Sequence, residues 1–168
     1  MRWDDVFAEL QAQFDAALQA DSDAELAELV QAEVAGIEWI DRCRARRGEH
    51  VNVRLADGSG RSGTVLEATR AWVRLAPGER RCLIPAHAVV AAWPLGPRAP
   101  EPGPIEARLG LGHALRALAA DGAEVMVCSL AGDHRGRLTR VGADHLDLLT
   151  AHATVTLMWS GLLSVEST

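Results

Sequence analysis

The sequence predicts an α+β protein in which an N-terminal helical hairpin precedes two tandem small barrels, each with one leading helix and about five short strands. Three observations support this prediction. Apolar residues recur every three or four positions in the first third, a later segment occurs twice, and a proline-rich stretch separates its copies. We divide the chain into an acidic helical segment (1–33), a first barrel with its leading helix (34–93), a linker (94–104) and a second barrel with its leading helix (105–168).

The composition excludes several classes of protein. With 48% hydrophobic and 24% charged residues, the 168-residue chain is too apolar for a disordered tail. No run reaches the roughly 18 apolar residues of a membrane span, and the first residues lack the apolar core of a signal peptide. Three cysteines without a C-x-x-C spacing indicate a reducing compartment. We therefore expect a cytoplasmic protein with no membrane partner.

Two apolar stripes predict the helices of the hairpin. Asp21, Ser22 and Asp23 separate the stripes, and Ser22 with Glu25 forms a capping-box pattern that predicts a new helix start. The second helix is expected to stop at Gly48. We expect this hairpin to pack on the rest of the molecule, and a coiled-coil dimerisation arm is the alternative interpretation. The apolar positions are Trp3, Val6, Phe7, Leu10, Phe14 and Leu18, then Leu26, Leu29, Val30, Val34, Ile37 and Ile40.

The strongest signal is an internal repeat that relates residues 48–93 to residues 122–167. Within each copy apolar and polar residues alternate, which is typical of half-buried strands. Gly63 and Gly136 are expected where the second strand of each copy bends. Each copy follows a predicted helix, at residues 37–47 and 105–121.

A linker between the copies is predicted from proline content. Residues 94–104 hold five of the seven prolines, which favours an extended, semi-rigid spacer.

The pattern V-x-V-x-L-x-D-G…G-T-V of residues 51–65 resembles the first conserved segment of Sm-like barrels, which share the SH3-like small-barrel fold. Residues 82–92 fall where the second segment of that family would lie. The resemblance implies a barrel that pairs with others or forms a ring. The chain also resembles short bacterial proteins that are sometimes labelled Fis-type regulators, although no C-terminal helix-turn-helix pattern is present. At the positions that contact RNA in the family, this chain instead carries Thr69, Val73, Pro85 and Ala86 in the first copy and Gly142, Leu146, Met158 and Trp159 in the second.

Charge is distributed unevenly along the chain. Residues 1–33 carry a net charge of −8, whereas residues 34–96 carry +4. In the first barrel Arg70, Trp72 and Arg74 alternate, so they are expected on one face of a strand, with Arg74 opposite Arg81. With Arg80, they predict a phosphate-binding face that has an aromatic stacking platform. Four further arginines lie near the end of the preceding helix: Arg42, Arg44, Arg46 and Arg47. The alternative is that the acidic segment lies against this face and neutralises it.

Motifs for catalysis are absent from the sequence. No nucleophile elbow, phosphate loop or zinc-ligand spacing occurs, so we predict a protein that is not an enzyme and has no metal, cofactor or small-molecule substrate. Met158 and Trp159 are candidate interface residues, with capping of the barrel core as the alternative for Trp159. We predict an interaction or scaffold module whose barrel edges bind a protein partner or a second copy of the chain. The alternative is an RNA- or DNA-binding regulator that uses the candidate residues Arg70, Trp72, Arg74, Arg80 and Arg81.

Overall fold

The N-terminal segment forms one long helix instead of a hairpin. The computed structural model describes the backbone of residues 3–168 and the side chains of residues 8–168, and in it helix α1 runs through Trp3–Ala35. The predicted break at Asp21, Ser22 and Asp23 is therefore wrong. These residues cost a helix only about 0.5 kcal/mol each, and the Gln19 side chain donates to Asp23 one turn later at 3.0 Å. The helix ends at Ala35, directly before Gly36.

Helix α1 explains why the sequence carries two apolar stripes. At 100° per residue, the apolar side chains before Asp21 and those after Asp23 lie roughly 130° apart around the helix. Each apolar stripe is thus continuous only within one half of α1. Two separate helices would produce the same sequence pattern. The side chains of residues 8–36 are exposed, and the positions Trp3, Val6 and Phe7 lie outside the described side chains.

Residues Glu38–Thr168 form a second compact unit that contains both copies of the repeat. We refer to residues 48–93 as the first repeat and to residues 122–167 as the second repeat. As predicted, each repeat has five strands. Those of the first are β1 (His50–Leu55), β2 (Gly60–Ala68), β3 (Trp72–Ala76), β4 (Cys82–Pro85) and β5 (Val89–Trp93). Those of the second are β6 (Glu124–Ser129), β7 (Gly132–Val141), β8 (His145–Leu149), β9 (Thr154–Met158) and β10 (Leu162–Ser167).

The helix that leads each repeat is shorter than predicted. Helix α2 covers Trp39–Arg44, and helix α3 covers Leu111–Asp121 after a separate 3₁₀ turn at Glu106–Arg108. Gly110 is the N-cap of α3 and has extended backbone angles, so the helix does not continue back to Ile105. The extended backbone conformation of Gly110 therefore sets the start of α3 at Leu111.

All ten strands join one open antiparallel sheet in the order β5-β1-β2-β3-β4-β10-β6-β7-β8-β9. The two repeats meet where β4 pairs with β10, so this pair forms an internal junction. Strands β5 and β9 are left at the two ends of the sheet. The fourth strand of the first repeat, β4, thus pairs with the fifth strand of the second, β10. The fifth strand of the first repeat, β5, and the fourth strand of the second, β9, remain unpaired on one side.

Two glycines let the strands of each repeat pack closely. A Cβ atom on Gly63 would lie 2.7 Å from the carbonyl carbon and oxygen of Ala76, and a Cβ atom on Gly136 would overlap the carbonyl group of Leu149. Both glycines lie on the second strand of their repeat and face the end of its third strand. The predicted role of Gly63 and Gly136 at a tight corner is consistent with these close approaches.

The two hydrophobic cores of this unit are interlocked across the internal junction. Cys128 and Leu163, from the second repeat, belong to the core of the first repeat. In return, Trp72 and Leu83 of the first repeat belong to the core of the second. Each repeat therefore buries side chains that the other supplies.

The proline-rich linker is held against helix α2 by arginine side chains. Arg42 donates hydrogen bonds of 2.8 and 3.0 Å to the carbonyl oxygens of Gly96 and Leu95. Arg44 is buried, pairs with Asp41 at 2.7 Å and donates to the carbonyl oxygen of Pro100. The linker is therefore fastened to α2 at Leu95, Gly96 and Pro100, a set of contacts that the prediction of a semi-rigid spacer did not include.

Candidate interaction surfaces

Side chains reinforce the internal junction between β4 and β10. The Arg61 guanidinium lies 2.5 Å from the Glu166 carboxylate and also donates to Ser164. At the end of the paired strands, Ser167 donates its backbone N–H to Arg81 and accepts the Arg81 N–H on its hydroxyl. An ion pair and a short hydrogen-bonded ladder thus hold the two repeats together.

The open edges differ from the internal junction in burial. All four residues of β4 and the first four of β10 are buried, whereas β5 and β9 are mostly exposed. The corresponding strands β4 and β9 therefore differ in burial, as do β10 and β5. Six large apolar side chains of the unit are exposed, five of them on or beside the open edges: Val90, Trp93, Leu130, Leu149 and Met158, with Ile105 in the linker region.

A shallow groove flanks each open edge. Beside β9, Leu130, Met158 and Gly161 line one groove, and beside β5, Trp39 and Val90 line another. Arg54 lies 6.0 Å from the centre of the Trp93 ring, close enough for a cation–π contact. Sequence reasoning did not identify Val90, Trp93 or Leu130, because which strand ends a sheet depends on the partner of every other strand.

The two interface candidates of the second repeat have different surroundings. Met158 is half exposed on β9. Trp159 is partly buried against the second core, and its ring reaches Gly112, where a Cβ atom would lie 2.8 Å from the indole. The surroundings of Trp159 therefore match the core-capping alternative, and Met158 remains available at the edge.

The register of β3 and β4 does not place Arg74 opposite Arg81. Arg74 is opposite Leu83, because Leu75 pairs with Cys82 at the start of β4. Instead, Arg74 lies 3.2 Å from Glu67 on the neighbouring strand β2. The expected position of Arg74 opposite Arg81 is therefore wrong, because β4 begins at Cys82 and Arg81 lies outside it.

Trp72 is not available as a stacking platform in this conformation. The side chain is only 4% exposed, and its indole N–H donates to the carbonyl oxygen of Leu109 at 3.1 Å. The expected face of β3 is covered by the segment that leads into α3. Trp72 and Arg74 line the same cavity, as their alternation indicated, whereas Arg70 lies outside β3. The alternation could not show that the segment before α3 covers Trp72.

Three arginines of the candidate set remain exposed at strand ends. Arg70 precedes β3, and Arg80 and Arg81 precede β4. Among the described residues, no carboxylate lies within 4 Å of these guanidinium groups. Arg81 instead donates to the carbonyl oxygens of Glu79 and Arg80 at 2.9 and 2.8 Å. By contrast, Arg44, Arg46 and Arg47 on or after α2 pair with Asp41, Glu49 and Glu106.

A cavity of about 290 Å³ lies between the two repeats. Its walls are largely apolar, and the Glu67–Arg74 pair also lines it. The cavity exists because α3 of the second repeat packs over β3 and β4 of the first. Its other lining residues include Trp72, Leu83, Leu109, His113 and Leu118.

Acid–base and metal chemistry have few candidates in the described part of the chain. Asp144 and His145 lie 2.8 Å apart at a turn, but no group of three histidine, cysteine or acidic side chains is placed to hold a metal ion. All three cysteines are buried free thiols, and burial raises the pKa of Cys43 to about 11 and that of Cys82 to about 12. No described helix combines the length and the apolar character that crossing a membrane requires.

Neither protein families nor curated proteins provide a relative of this chain. No protein-family model matches the chain, and no curated protein is significantly similar to it. The candidate surfaces are therefore judged on their own geometry: two open, apolar strand edges and one small group of exposed arginines.

Proposed function

We propose that this chain is a non-catalytic interaction or scaffold module of the cytoplasm, built on two tandem Sm-like, SH3-like small barrels. Its open strand edges β5 and β9 bind a protein partner. The observation that carries the proposal is the position of the exposed large apolar side chains within residues 38–168, because five of those six lie on or beside these two edges. Unpaired edge strands with exposed apolar residues are natural pairing surfaces.

The repeat supports the barrel interpretation. In the first repeat the strand order is β5-β1-β2-β3-β4, so the first and last strands of the repeat are neighbours, as a nearly closed barrel requires. In the second, β10 pairs with β6 in the same way. Each repeat also surrounds a core of its own. The three buried free thiols are consistent with a reducing compartment.

Site-specific photo-crosslinking tests the use of the edges. A crosslinking amino acid is placed at Val90 or Met158 in the full-length chain, with Ile105 as the matched control because it is exposed but lies away from both edges. We expect crosslinked protein at the edge positions and none at Ile105 in cells. Equal crosslinking at all three positions, or none at the edges, would contradict the proposal.

A second proposal is a nucleic-acid-binding regulator, favoured by the exposed Arg70, Arg80 and Arg81. In this version the acidic segment 1–33 masks the basic groups until a partner displaces it. Phosphate contacts weaken steeply as salt rises, whereas apolar edge pairing does not. Fluorescence anisotropy of a labelled single-stranded RNA at low salt is the test, with the full chain, residues 34–168 and the variant Arg80→Glu/Arg81→Glu. Tighter binding after truncation, lost in the variant, would support this proposal, and no binding by any form would exclude it.

A further inference from the structure

From the cavity between the two repeats we infer that this chain binds a small uncharged molecule, an aromatic amide or lactam of about two fused rings. The inference goes beyond the proposed function and does not depend on it, because the cavity is lined from β2, β3, β4 and the region of α3. Close packing leaves few voids larger than a water molecule in a protein interior. At about 290 Å³, this cavity is roughly ten times the volume that one water occupies in the liquid.

The deepest wall of the cavity is held in place by the rest of the fold. Trp72 and Leu83 line it, and both side chains are buried in the core of the second repeat. The indole N–H of Trp72 donates to the carbonyl oxygen of Leu109 at 3.1 Å, which fixes the plane of the ring. An aromatic wall packs well against another flat ring. Because this wall is already ordered, a planar apolar ligand does not have to organise it on binding.

Helix α3 leaves the cavity open because it presents small side chains to it. Leu111 and Leu115 of this helix belong to the second core. Ala114 and Ala117, on the neighbouring helix face, line the cavity. Ala114 is partly buried and Ala117 is exposed, so the cavity opens to solvent beside Ala117. An engineered cavity of about 150 Å³ holds benzene, so a volume about twice as large accommodates roughly two fused rings.

The charged groups that line the cavity form one ion pair. Nη2 of Arg74 lies 3.2 Å from Oε2 of Glu67, and within the described part of the chain neither side chain has a further polar partner. A carboxylate ligand would satisfy Arg74 but would meet the negative charge of Glu67, and an ammonium ligand would have the opposite difficulty. An amide edge suits both groups, because its oxygen accepts from the guanidinium and its N–H donates to the carboxylate.

The second repeat satisfies the equivalent polar groups from within the chain. Neighbouring strands carry Glu67, Arg74 and Leu83 in the first repeat and Arg140, Asp147 and Thr156 in the second. The Thr156 hydroxyl donates to Asp147 at 2.7 Å. Leu83 stands in the place of Thr156 and has no polar group to offer Arg74. The first repeat therefore combines an apolar wall with an ion pair that retains spare donors and acceptors, which is typical of ligand sites.

Titration calorimetry and NMR on the full-length protein test the inference at about pH 8, where His113 at the cavity is neutral. The probes are 2-naphthamide, 2-naphthoate and 2-naphthylmethylammonium, which share one ring system and differ in charge. We expect 2-naphthamide to bind most tightly and to shift the amide resonances of β3 and α3. Ala114→Leu fills the cavity and should weaken this binding by at least about tenfold. Ala120→Leu is the matched control, because Ala120 is exposed on the same helix outside the cavity.

A change of charge in the cavity provides a second readout. Glu67→Gln removes the negative charge and keeps the size of the side chain, so 2-naphthoate should bind this variant at least about tenfold more tightly than the wild type. Glu49→Gln is the matched control, because it removes the same charge from a carboxylate that pairs with Arg46 outside the cavity. It should leave the binding of 2-naphthoate unchanged.

Three results would overturn the inference. The first is a wild type that does not bind 2-naphthamide. The second is a wild type that binds 2-naphthoate or the ammonium probe more tightly than the amide. The third is undiminished binding of 2-naphthamide by Ala114→Leu, which would place the ligand elsewhere. If Ala114→Leu does not unfold cooperatively, the comparison of Glu67→Gln with Glu49→Gln decides, and equal affinity of both for 2-naphthoate would contradict the assigned site.

Discussion

At the scale of single residues, the chain has an unusual set of titratable groups. It contains no lysine and no tyrosine, and arginine stays charged below about pH 12. The three thiols are therefore the side chains that titrate between about pH 8 and 12. Cys43, Cys82 and Cys128 are buried, and burial raises the pKa of each. The change in the free energy of unfolding at alkaline pH therefore depends on how deeply these thiols are buried.

We predict that the free energy of unfolding falls as the pH rises from about 9 to 11. The folded state holds the Cys43 proton up to a pKa of about 11, whereas the unfolded chain releases it near 9.0. Stability is therefore fully present below pH 9 and is lost above it, by up to about 3 kcal/mol for this thiol. Urea unfolding at about pH 8 and pH 10.5 measures the change. The variant Cys43→Ala should lose part of the pH dependence, and a stability that is constant over this range would contradict the prediction.

Trp72 lies on the predicted face of β3 but does not provide the predicted stacking surface. Alternation placed Trp72 and Arg74 on the same face of β3, and both line the same cavity. The expectation of a free stacking surface failed because Leu109, 37 residues later, accepts the indole N–H. Contacts between distant segments carry no periodic signal, so a pattern along one strand cannot reveal them.

At the scale of elements, the equivalent glycines Gly63 and Gly136 are predicted to be indispensable for strand packing. Substitution Gly63→Ala or Gly136→Ala would bring a methyl group into the backbone of the third strand, so we expect a loss of roughly 1–3 kcal/mol in the free energy of unfolding. Gly60→Ala is the matched control on β2, because the nearest atom to its Cβ would be 3.7 Å away. Denaturant unfolding of the three variants checks this. Equal stability of all three would show that the strands can shift apart.

The strands were more predictable than the helices. Period-two alternation and glycine positions yielded five strands in each repeat, because strands such as β1 and β8 bury alternate residues in a core and leave the others more exposed. The helix count was wrong for α1, since Asp21, Ser22 and Asp23 disfavour a helix only weakly and no proline or glycine stands among them. Sequence reasoning could not identify the open edges of the candidate site, because they depend on the long-range pairing of β10 with β4, which no local pattern specifies.

At the scale of the whole molecule, the interlocked cores predict that the two repeats lose stability together. Leu163→Ala removes a second-repeat side chain from the first core, which should cost about 2–5 kcal/mol. Hydrogen exchange of backbone amides in β1–β3 and β7–β8 should then accelerate by a similar factor. Leu149→Ala, at a half-exposed position, is the control and should leave both sets protected. Faster exchange in only one repeat would show that the cores unfold separately.

The covalent connection of the two repeats has a consequence for their descent. Arg61 and Glu166 lie in one polypeptide and are inherited together. A substitution on one side of the internal junction therefore has to remain compatible only with the residues on its other side. The equivalent residues are His134, which is half-buried, and Trp93, which is exposed on the open strand β5. Once a single repeat has been duplicated in tandem, its fourth and fifth strands can diverge in each copy, because one such pair is buried at the internal junction and the other lies at the ends of the sheet. Separate identical repeats cannot diverge in this way.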